Sequence, residues 1–403
     1  MSLSSKLYWS VYALWISTLV GVARRINREV TEPYMDEIFH VPQAQAYCSG
    51  DWRYWNGAIT TPPGLYLLPA VLSNIQRHLP RYFSRFNFCS LDSLRFFNLS
   101  ILAFLPLLYT SLLLAIRQPV VSEKKQRSRT TIGEERKENG NSARWEGLTI
   151  ALMPVLGWWG WLYYTDLGSL ATVLLSMRLS LDKRWFWSSI VGAISLLFRQ
   201  TNIVWVAFIA GVGIARELRT GNSSKKTKSQ LYDPLLPDAR PIDLVLTPYS
   251  LAYLSLHNLS ALVPILTAYL SVFLGFLAFI KLNRGIVLGD KSNHVATIHI
   301  PQIYYFVAFS SVFLSPHLLD SAKIKKTWSS LFGSKTRVAT SLNALVVMCW
   351  TIRNFTIAHP FLLADNRHFA FYLWRRVLNV HPLARYLLTP LYLVASRLIC
   401  QAL

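Results

Sequence analysis

Long apolar stretches alternate along this chain with short polar connectors, and few charged residues interrupt the apolar stretches. A helix that crosses a bilayer needs about 20 mostly apolar residues, or somewhat fewer where the bilayer and neighbouring helices adapt. The pattern therefore predicts an all-α, polytopic membrane protein, a single domain over residues 1–403 with about ten transmembrane helices. Nine of the predicted spans are residues 7–23, 94–116, 147–164, 167–181, 185–198, 203–215, 260–281, 303–315 and 338–358. The remaining crossings lie in the tail that follows.

The polar connectors differ in composition, and this difference predicts how the chain is oriented. The connectors rich in Lys and Arg fall on one side if Met1 is cytosolic, as the positive-inside rule requires. Two of these cytosolic connectors, residues 117–146 and 216–248, are polar enough to be disordered. The other side holds a large first loop, residues 24–94, and the connectors that carry acidic, amide and imidazole side chains. We interpret that side as a lumen, with residues 62–75 forming an interfacial helix rather than a crossing.

The composition favours a membrane protein and argues against a nucleic-acid-binding one. Charged residues make up only 15% of the chain, against roughly 25% in soluble domains. The 14 Trp and 19 Tyr residues suit the aromatic belts found at membrane surfaces. The net charge of +21 comes mostly from the basic connectors, which need no nucleic-acid partner to explain them. The N-terminal apolar run shows no small-residue cleavage site, so we expect a retained span.

The stretch of residues 32–66 is the longest one that is neither apolar nor a charged connector, and it contains the candidate catalytic residues. If residues 35–47 form a helix, four polar positions share one face. These positions are Asp36, His40, Gln43 and Tyr47. A helix that only packs against its neighbours would carry apolar residues there. The adjacent Asp36 and Glu37 are the candidates for acid–base work, although a solvated acidic pair is also ordinary in an exposed loop.

Three other polar segments carry cations that suit a phosphate group. The candidate residues are Lys291, Ser292, His294 and His299, then Arg199, and then Asp365, Arg367 and His368. Arginine suits bidentate contact with phosphate, and an ionisable residue such as Arg199 within an apolar stretch is costly and often functional. Each segment also has an alternative interpretation. The first is then a basic loop at the lipid surface, the second a short turn, and the third an Asp365–Arg367 pair.

The cysteines and histidines predict no metal site. The sequence contains neither a CxxC nor an HExxH motif, so the usual zinc spacings are missing. The absence of GxGxxG, Walker A and DxD motifs also argues against a nucleotide-activated donor. Cys48 and Cys89 have two possible states. They form a disulfide if the first loop faces an oxidising lumen, or they remain two free thiols.

Five motifs together resemble one known family. They are EPYMDEIFHVPQAQAYC, ITTPPGLY, FRQTNIVW, GDKSNHVATIHIPQIYY and HPFLLADNRHFAFYLWRR, and they extend from Glu32 to Arg376. The order and content resemble the dolichyl-phosphate-glucose-dependent α-1,2-glucosyltransferases, which add the last glucose to the lipid-linked oligosaccharide. Members often read WDPKITTPPG where this chain has WNGAITTPPG, so a direct role for that turn is not expected. Members also tend to continue with further membrane segments after the ADNRH block, so we expect this chain to be short for the family.

The resemblance implies a GT-C-type membrane enzyme in the endoplasmic reticulum, with a luminal active site. It also implies a dolichyl phosphate glucose donor, a dolichyl-pyrophosphate-linked diglucosylated Man9GlcNAc2 acceptor, membrane lipids as surroundings, and neither a cofactor nor nucleic acid. Asp36 is then expected to be the base, with Glu37 as the second candidate. The expected donor-phosphate residues are Lys291, His294, Arg367, His368 and Arg199, and the expected substrate-binding residues are Tyr34, His40, Gln43, Trp52, Trp55 and Asp365.

Two other functions remain open at this point. A lipid or ion transporter would use the luminal carboxylates to bind cargo, but transporters usually carry inverted repeats and charges at the midplane, and neither is clear here. A related dolichyl-phosphate-sugar transferase with another donor or acceptor fits the composition equally well. Only the motif resemblance argues against that enzyme.

Overall fold

The computed structural model describes residues 3–78, 87–117, 129–221, 231–234, 239–240, 242–292, 297–364, 366 and 369–402. These residues form helices and no strand, so the predicted all-α class is confirmed. The helices are α1 (Leu3–Glu29), α2 (Glu37–Ser49), α3 (Gly64–Arg77), α4 (Leu91–Ile116), α5 (Arg129–Ala151), α6 (Pro154–Gly160), α7 (Thr165–Leu181), α8 (Trp185–Leu196), α9 (Ile203–Gly221), α10 (Asp243–His257), α11 (Leu259–Asn283), α12 (Pro301–Phe313), α13 (Ser315–Leu318), α14 (Ser321–Phe332), α15 (Lys335–Phe355), α16 (Pro360–Ala364), α17 (Phe369–Leu373), α18 (Ala384–Leu387) and α19 (Thr389–Ala402).

Three helices in the described part of the chain are long and apolar enough to cross a membrane. They are Leu91–Ile116, Gln200–Arg219 and Leu259–Asn283, and they coincide with the predicted spans at 94–116, 203–215 and 260–281. The shorter apolar helix Trp185–Leu196 matches the predicted span at 185–198. Apolar length alone therefore located these elements, because the bilayer sets a minimum length that few soluble helices reach with so little charge.

The contacts of the chain group it into two compact units. The first comprises Met1–Leu231 and Pro248–His294, and the second comprises Tyr232–Thr247 and Val295–Leu403. In the first unit α4 packs against α1, α5, α6 and α7, while α8 and α9 pack against α7 and α11. In the second unit α19 packs against α12, α14 and α15.

Helices occupy parts of both segments for which the sequence predicts a disordered connector. Helix α9 extends to Gly221 and α10 begins at Asp243, both inside the predicted connector 216–248. Helix α5 begins at Arg129, inside the predicted connector 117–146. The segment lacks an apolar stripe, so hydrophobic periodicity gives no helix signal there. Its Glu, Arg and Lys residues have high intrinsic helix propensity, and this explains how a polar sequence continues into the apolar end of α5.

The first loop folds into two helices, α2 and α3, that pack against each other. Their shared core includes Val41, Ala44, Leu65 and Tyr66, all buried. Helix α2 ends at Ser49 and is capped by Gly50, which adopts the left-handed conformation with φ 96° that glycine tolerates best. The expectation of an interfacial helix at 62–75 thus corresponds to a real helix, α3, which is seated on α2.

A disulfide joins Cys48 at the end of α2 to Cys89, just before α4, with Cα atoms 6.5 Å apart. The structure therefore decides between the two states that the sequence left open. Two side chains hold the backbone on either side of the disulfide. Arg77 at the end of α3 donates to the Cys48 carbonyl, and Gln45 in α2 donates to the Cys89 carbonyl. The disulfide fixes the first loop against the start of α4, one of the helices long and apolar enough to cross a membrane.

Replacing Cys48 and Cys89 together by Ser should lower the free energy of unfolding by about 4 kcal/mol, because the lost cross-link closes a loop of 41 residues and restrains the unfolded chain. Thermal unfolding of the purified protein in detergent measures the effect. The matched control replaces the two cysteines that form no disulfide, Cys349 and Cys400, and should leave the midpoint nearly unchanged. Equal midpoints for the two double variants would contradict a stabilising role for the disulfide.

Candidate active site

Glu37 lies at the start of α2 with its side chain fully buried and hydrogen-bonded on both oxygens. Its Oε1 accepts from Arg95 Nε at 3.0 Å and from the Tyr163 amide at 2.7 Å. Its Oε2 accepts from Arg95 Nη2 at 2.6 Å and from the Tyr34 amide at 3.0 Å. A bidentate arginine and two backbone donors hold this carboxylate rigidly in one position.

Arg95 lies in the first turns of α4 and is itself buried. Beyond its two bonds to Glu37, its Nη1 donates to Asn27 Oδ1 at 3.1 Å and to the Val30 carbonyl at 2.8 Å. Its Nη2 also donates to the Glu32 carbonyl at 3.3 Å. All five guanidinium hydrogens therefore have acceptors. This single side chain ties together the end of α1, the segment before α2 and α2 itself.

Asp36 directly precedes Glu37 but is exposed. The backbone turns at Met35, whose φ of 56° is left-handed and costs a non-glycine residue about 1–2 kcal/mol. The turn aims the Asp36 amide at Tyr164, whose hydroxyl oxygen accepts it at 2.9 Å. The side chain of Asp36 does not cap α2. Of the two adjacent carboxylates, one is therefore built into the scaffold and the other faces the outside of the unit.

His40 sits one turn after Asp36, and its Nδ1 shares a 2.6 Å hydrogen bond with the Tyr66 hydroxyl. Its ring also lies 6.0 Å from the ring of Tyr164. Burial lowers the pKa of His40 to about 4, and the positive charge of Arg199 contributes in the same direction. His40 is therefore a neutral imidazole at neutral pH.

Acidification should destabilise the protein through His40. Its pKa is about 4 in the folded state and near 6.5 in the unfolded chain, so between these values the unfolded state binds more protons. Stability is fully present above pH 6.5 and falls as the pH drops toward 4, by about 1–2 kcal/mol at pH 5. Unfolding midpoints measured from pH 7.5 to 5 for the wild type and His40→Gln test this. Parallel loss in both proteins would show that another group is responsible.

Gln43 orders the segment that follows α2. Its fully buried amide donates to the Tyr54 carbonyl at 2.9 Å and accepts from the Asn56 amide at 2.9 Å.

The predicted aromatic substrate residues differ in exposure. Trp52, which is 49% exposed, has its ring 5.1 Å from the ring of Tyr47. Of the other predicted substrate residues, Trp55 packs against the core of α2 and α3, and Tyr34 packs beside Met35 and Tyr164. Within this set Trp52 presents the most accessible aromatic face.

The side chain of Arg199 is partly exposed to solvent but forms an ion pair with Asp166. Its Nη2 donates to Asp166 Oδ1 at 2.9 Å, and its Nε donates to Thr165 Oγ1 at 3.4 Å. Burial raises the pKa of Asp166, and the Arg199 charge opposes that rise. Asp166 lies in the first turn of α7, and the Tyr164 hydroxyl just before that helix accepts from the Asp36 amide. The Arg199–Asp166 pair therefore lies near the start of α2.

Two of the motifs, and the residue just before a third, meet at the Thr60 carbonyl. It accepts from Gln200 Nε2 at 2.7 Å and from the Leu288 amide at 3.2 Å. The next residue, Gly289, has φ 59°, and a Cβ there would lie 2.4 Å from the carbonyl oxygens of Gly57 and Ile59. Only glycine fits this contact. The loop that begins at Gly289 therefore packs on the first loop. Lys291, two residues further on, is exposed, and its Nζ donates to the Asn283 carbonyl.

Four predicted site residues lie outside the described residues, namely His294, Asp365, Arg367 and His368. The described part of the chain holds no group of three His, Cys, Asp or Glu residues able to bind a metal ion. The structure thus brings Asp36, Glu37, His40, Gln43 and Arg199 into one region of the first unit, and it docks the loop that carries Lys291 against that region.

Sequence comparison relates this arrangement to known proteins. The chain matches the DIE2/ALG10 family over residues 30–403, a range that includes all the predicted site residues. The chain belongs to the DIE2/ALG10 family. The resemblance inferred from the five motifs is thereby confirmed, and helix α2 of this family member, which carries Glu37, His40 and Gln43, falls near the beginning of the matched region.

Curated relatives from animals and plants are similar over most of this family member. A rat protein named Dol-P-Glc:Glc(2)Man(9)GlcNAc(2)-PP-Dol alpha-1,2-glucosyltransferase is 37% identical over 94% of this chain and 76% of its own length. A human protein of the same name shows the same three values, and one from Arabidopsis thaliana is 32% identical over 95% of this chain and 79% of its own length. No solved structure matches the chain.

The predicted site set leaves out several residues of this cluster, among them Arg95, Asp166, Tyr66 and Tyr164. A signal for Arg95 exists in the sequence, since it is an ionisable residue near the start of the long apolar run 94–116, and such residues are expensive unless paired. That signal predicts a partner but does not identify it. Asp166 was visible as a polar residue between two apolar runs, and its pairing with Arg199 required the fold.

Proposed function

We propose that this chain transfers glucose from dolichyl phosphate glucose, in α-1,2 linkage, to Glc2Man9GlcNAc2-diphosphodolichol. The observation that carries the proposal is its 37% identity over 94% of its length to proteins whose names state this reaction. The polar cluster at the start of α2 supports it, because an exposed carboxylate beside a rigid, hydrogen-bonded frame is what acceptor activation requires. The three apolar helices long enough to cross a membrane suit lipid-borne substrates.

Asp36 is the general base in this proposal. It takes the proton from the 2-hydroxyl of the terminal acceptor glucose while that oxygen forms a bond to C1 of the donor glucose. The bond from C1 to the phosphate oxygen breaks, and its electron pair leaves with dolichyl phosphate. One displacement inverts C1, so a β-linked donor gives an α-linked product. Glu37 does not compete well for this role, since both its oxygens are already engaged by Arg95 and backbone amides.

The negative charge that develops on the leaving phosphate needs cations nearby. Lys291, His294, Arg367 and His368 are the proposed contacts, with Arg199 as a further one. Arg199 is partly neutralised by Asp166, which makes it the weakest of the five. Tyr34, His40, Gln43, Trp52, Trp55 and Asp365 are the proposed substrate-binding residues, with the accessible ring of Trp52 suited to stacking on a sugar.

We place the protein in the endoplasmic reticulum membrane, with this cluster facing the lumen. The Cys48–Cys89 disulfide supports a luminal first loop, because such bonds persist in oxidising compartments. The proposed architecture is a GT-C-type bundle of about ten transmembrane helices, of which three are apparent as long apolar helices. No nucleotide cofactor enters the proposed reaction, because the lipid phosphate already activates the sugar.

An in vitro assay tests the proposal. Purified protein in detergent is given the Glc2Man9GlcNAc2 lipid acceptor with labelled dolichyl phosphate glucose, and in a second arm with labelled dolichyl phosphate mannose. We expect one glucose to be added, removable by an α-1,2-specific glucosidase, and no mannose transfer. Mannose transfer at a similar rate, or no transfer from either donor by protein that unfolds cooperatively, would overturn the proposed donor specificity or the reaction.

A further inference from the structure

A cavity of about 930 Å³ lies between α8 and α11 in the first unit. It is lined by side chains from residues 183–193 and 264–272, and it is called the α8–α11 groove below. We propose that this groove binds an anionic glycerophospholipid, with the headgroup at Lys183 and Arg184 and an acyl chain between the two helices. The proposal goes beyond glucosyl transfer, and the groove shares no residue with the site proposed for that reaction.

Both helices run from the groove toward the candidate active site. After α8, the Leu197 carbonyl accepts from the Gly64 amide at 2.9 Å, and Gln200 then donates to the Thr60 carbonyl. After α11, the Leu288 amide donates to the same Thr60 carbonyl. The basic end of the groove precedes α8, whose 12 residues span about 18 Å. The headgroup end is therefore separated from the candidate active site by the length of a helix.

The space between the two helices suits an acyl chain. Ala193 of α8 and Ala268 of α11 both line the groove, and their small side chains leave room between the helices, with Ile190 beside them. Behind the groove, the buried hydroxyls of Ser188 and Tyr269 share a 2.7 Å hydrogen bond that joins α8 to α11. The volume of the groove is within the range of roughly 300–1,000 Å³ that is typical of ligand sites.

The basic end of the groove carries an excess of positive charge. Lys183 Nζ donates to Glu217 Oε2 at 2.7 Å, but the lysine side chain is 56% exposed, and an exposed pair of this kind holds its partners weakly. The preceding Asp182 pairs with Arg178. Arg184 is exposed and forms no ion pair with a carboxylate in the described part of the chain. A headgroup with a net negative charge is therefore favoured over a zwitterionic one.

Aromatic residues place this end of α8 at the surface of a membrane. Trp185, Phe186 and Trp187 directly follow Arg184 and line the groove. Phe186 and Trp187 are exposed, and Trp is enriched at the level of lipid headgroups. In the proposed orientation this is the cytosolic leaflet, whose anionic lipids attract Lys and Arg side chains near the surface. A phospholipid headgroup at this level meets the cations while its acyl chain enters the groove.

Native mass spectrometry of the full-length protein in detergent measures lipid binding. The protein is titrated with phosphatidylserine and, in a parallel arm, with phosphatidylcholine that has the same acyl chains. Both lipids carry a phosphate, and only the first has a net negative charge. We expect phosphatidylserine to bind about 5- to 30-fold more tightly, the preference that one or two cations near an anionic headgroup provide. Equal affinities for the two lipids would overturn the inference.

Two variants and one control locate the bound lipid. Arg184→Gln should weaken binding of phosphatidylserine about fivefold and leave that of phosphatidylcholine unchanged. Ala268→Phe fills the groove and should weaken both lipids by about tenfold or more. The control is Arg219→Gln, which removes the same charge from an exposed arginine in the last turn of α9, outside the groove. Unfolding midpoints identify any variant that is misfolded.

Two results of this comparison would contradict the site. Equal losses in Arg184→Gln and Arg219→Gln would show a general effect of surface charge. An unchanged affinity for phosphatidylserine in folded Ala268→Phe would place the lipid elsewhere. If Ala268→Phe does not fold, the contrast between Arg184→Gln and Arg219→Gln decides the question alone.

Competition with the sugar donor keeps this inference separate from the proposed function. An excess of dolichyl phosphate glucose should not displace phosphatidylserine, and displacement would make the groove part of the donor site and overturn the inference. Protein that binds phosphatidylserine in an Arg184-dependent way but transfers no glucose supports the groove and contradicts the reaction. Protein that transfers glucose while Arg184→Gln leaves the affinity for phosphatidylserine unchanged does the reverse.

Discussion

Asp36→Asn is expected to lower kcat for glucosyl transfer by about 100- to 10,000-fold, the range that a positioned general base contributes. The amide keeps the size and exposed position of the side chain but cannot take the proton of the acceptor hydroxyl. KM for both lipid substrates should change little, since Asp36 acts on the proton that moves rather than on binding. Initial rates with labelled dolichyl phosphate glucose measure the effect.

The matched control is Glu32→Gln, which removes one negative charge from an exposed residue four positions earlier in the same loop. It should retain nearly full activity, since only the Glu32 carbonyl contacts Arg95. An Asp36→Asn protein with the unfolding midpoint and near-normal kcat of the wild type would remove Asp36 from the role of base. Equal losses in both variants would indicate a general effect of charge in the loop.

The sequence predicted the elements of this fold that depend on local patterns. The helix expected at 35–47 is α2, shifted by two residues, and the span expected at 94–116 is the greater part of α4. Both follow from periodicity and apolar length, which neighbouring residues determine. The polar face of α2 was also predicted, and His40 and Gln43 do make specific polar contacts from it.

What the sequence could not decide depends on contacts between distant residues. Asp36 and Glu37 are adjacent and chemically alike, so no local rule separates them. The structure separates them through Arg95, which is 58 residues beyond Glu37 in the chain. The same limit explains the Thr60 carbonyl, where residues 140 positions apart meet. Motifs showed which segments matter, but only the fold shows how they are joined.

The buried Glu37–Arg95 pair gives the second large expected effect. Arg95→Met should lower the free energy of unfolding by about 3–5 kcal/mol, because it leaves the Glu37 carboxylate buried without its counter-ion. Glu37→Gln should destabilise by a similar amount, since Arg95 then keeps its charge in a buried site. The double variant should be less destabilised than the sum of the two, because neither charge remains unpaired. Thermal and denaturant unfolding of the purified proteins measure all three.

The control for this pair lies at the other end of the same helix. Arg117, just after α4, pairs with Glu146, and both side chains are about one-third exposed. Arg117→Met should therefore cost no more than about 1 kcal/mol.

The variants of the Glu37–Arg95 pair also test which carboxylate is catalytic. If Glu37→Gln unfolds like the wild type but transfers no glucose, Glu37 acts in the chemistry. If it loses activity only as far as it loses folded protein, Glu37 is part of the frame that holds Asp36 in place.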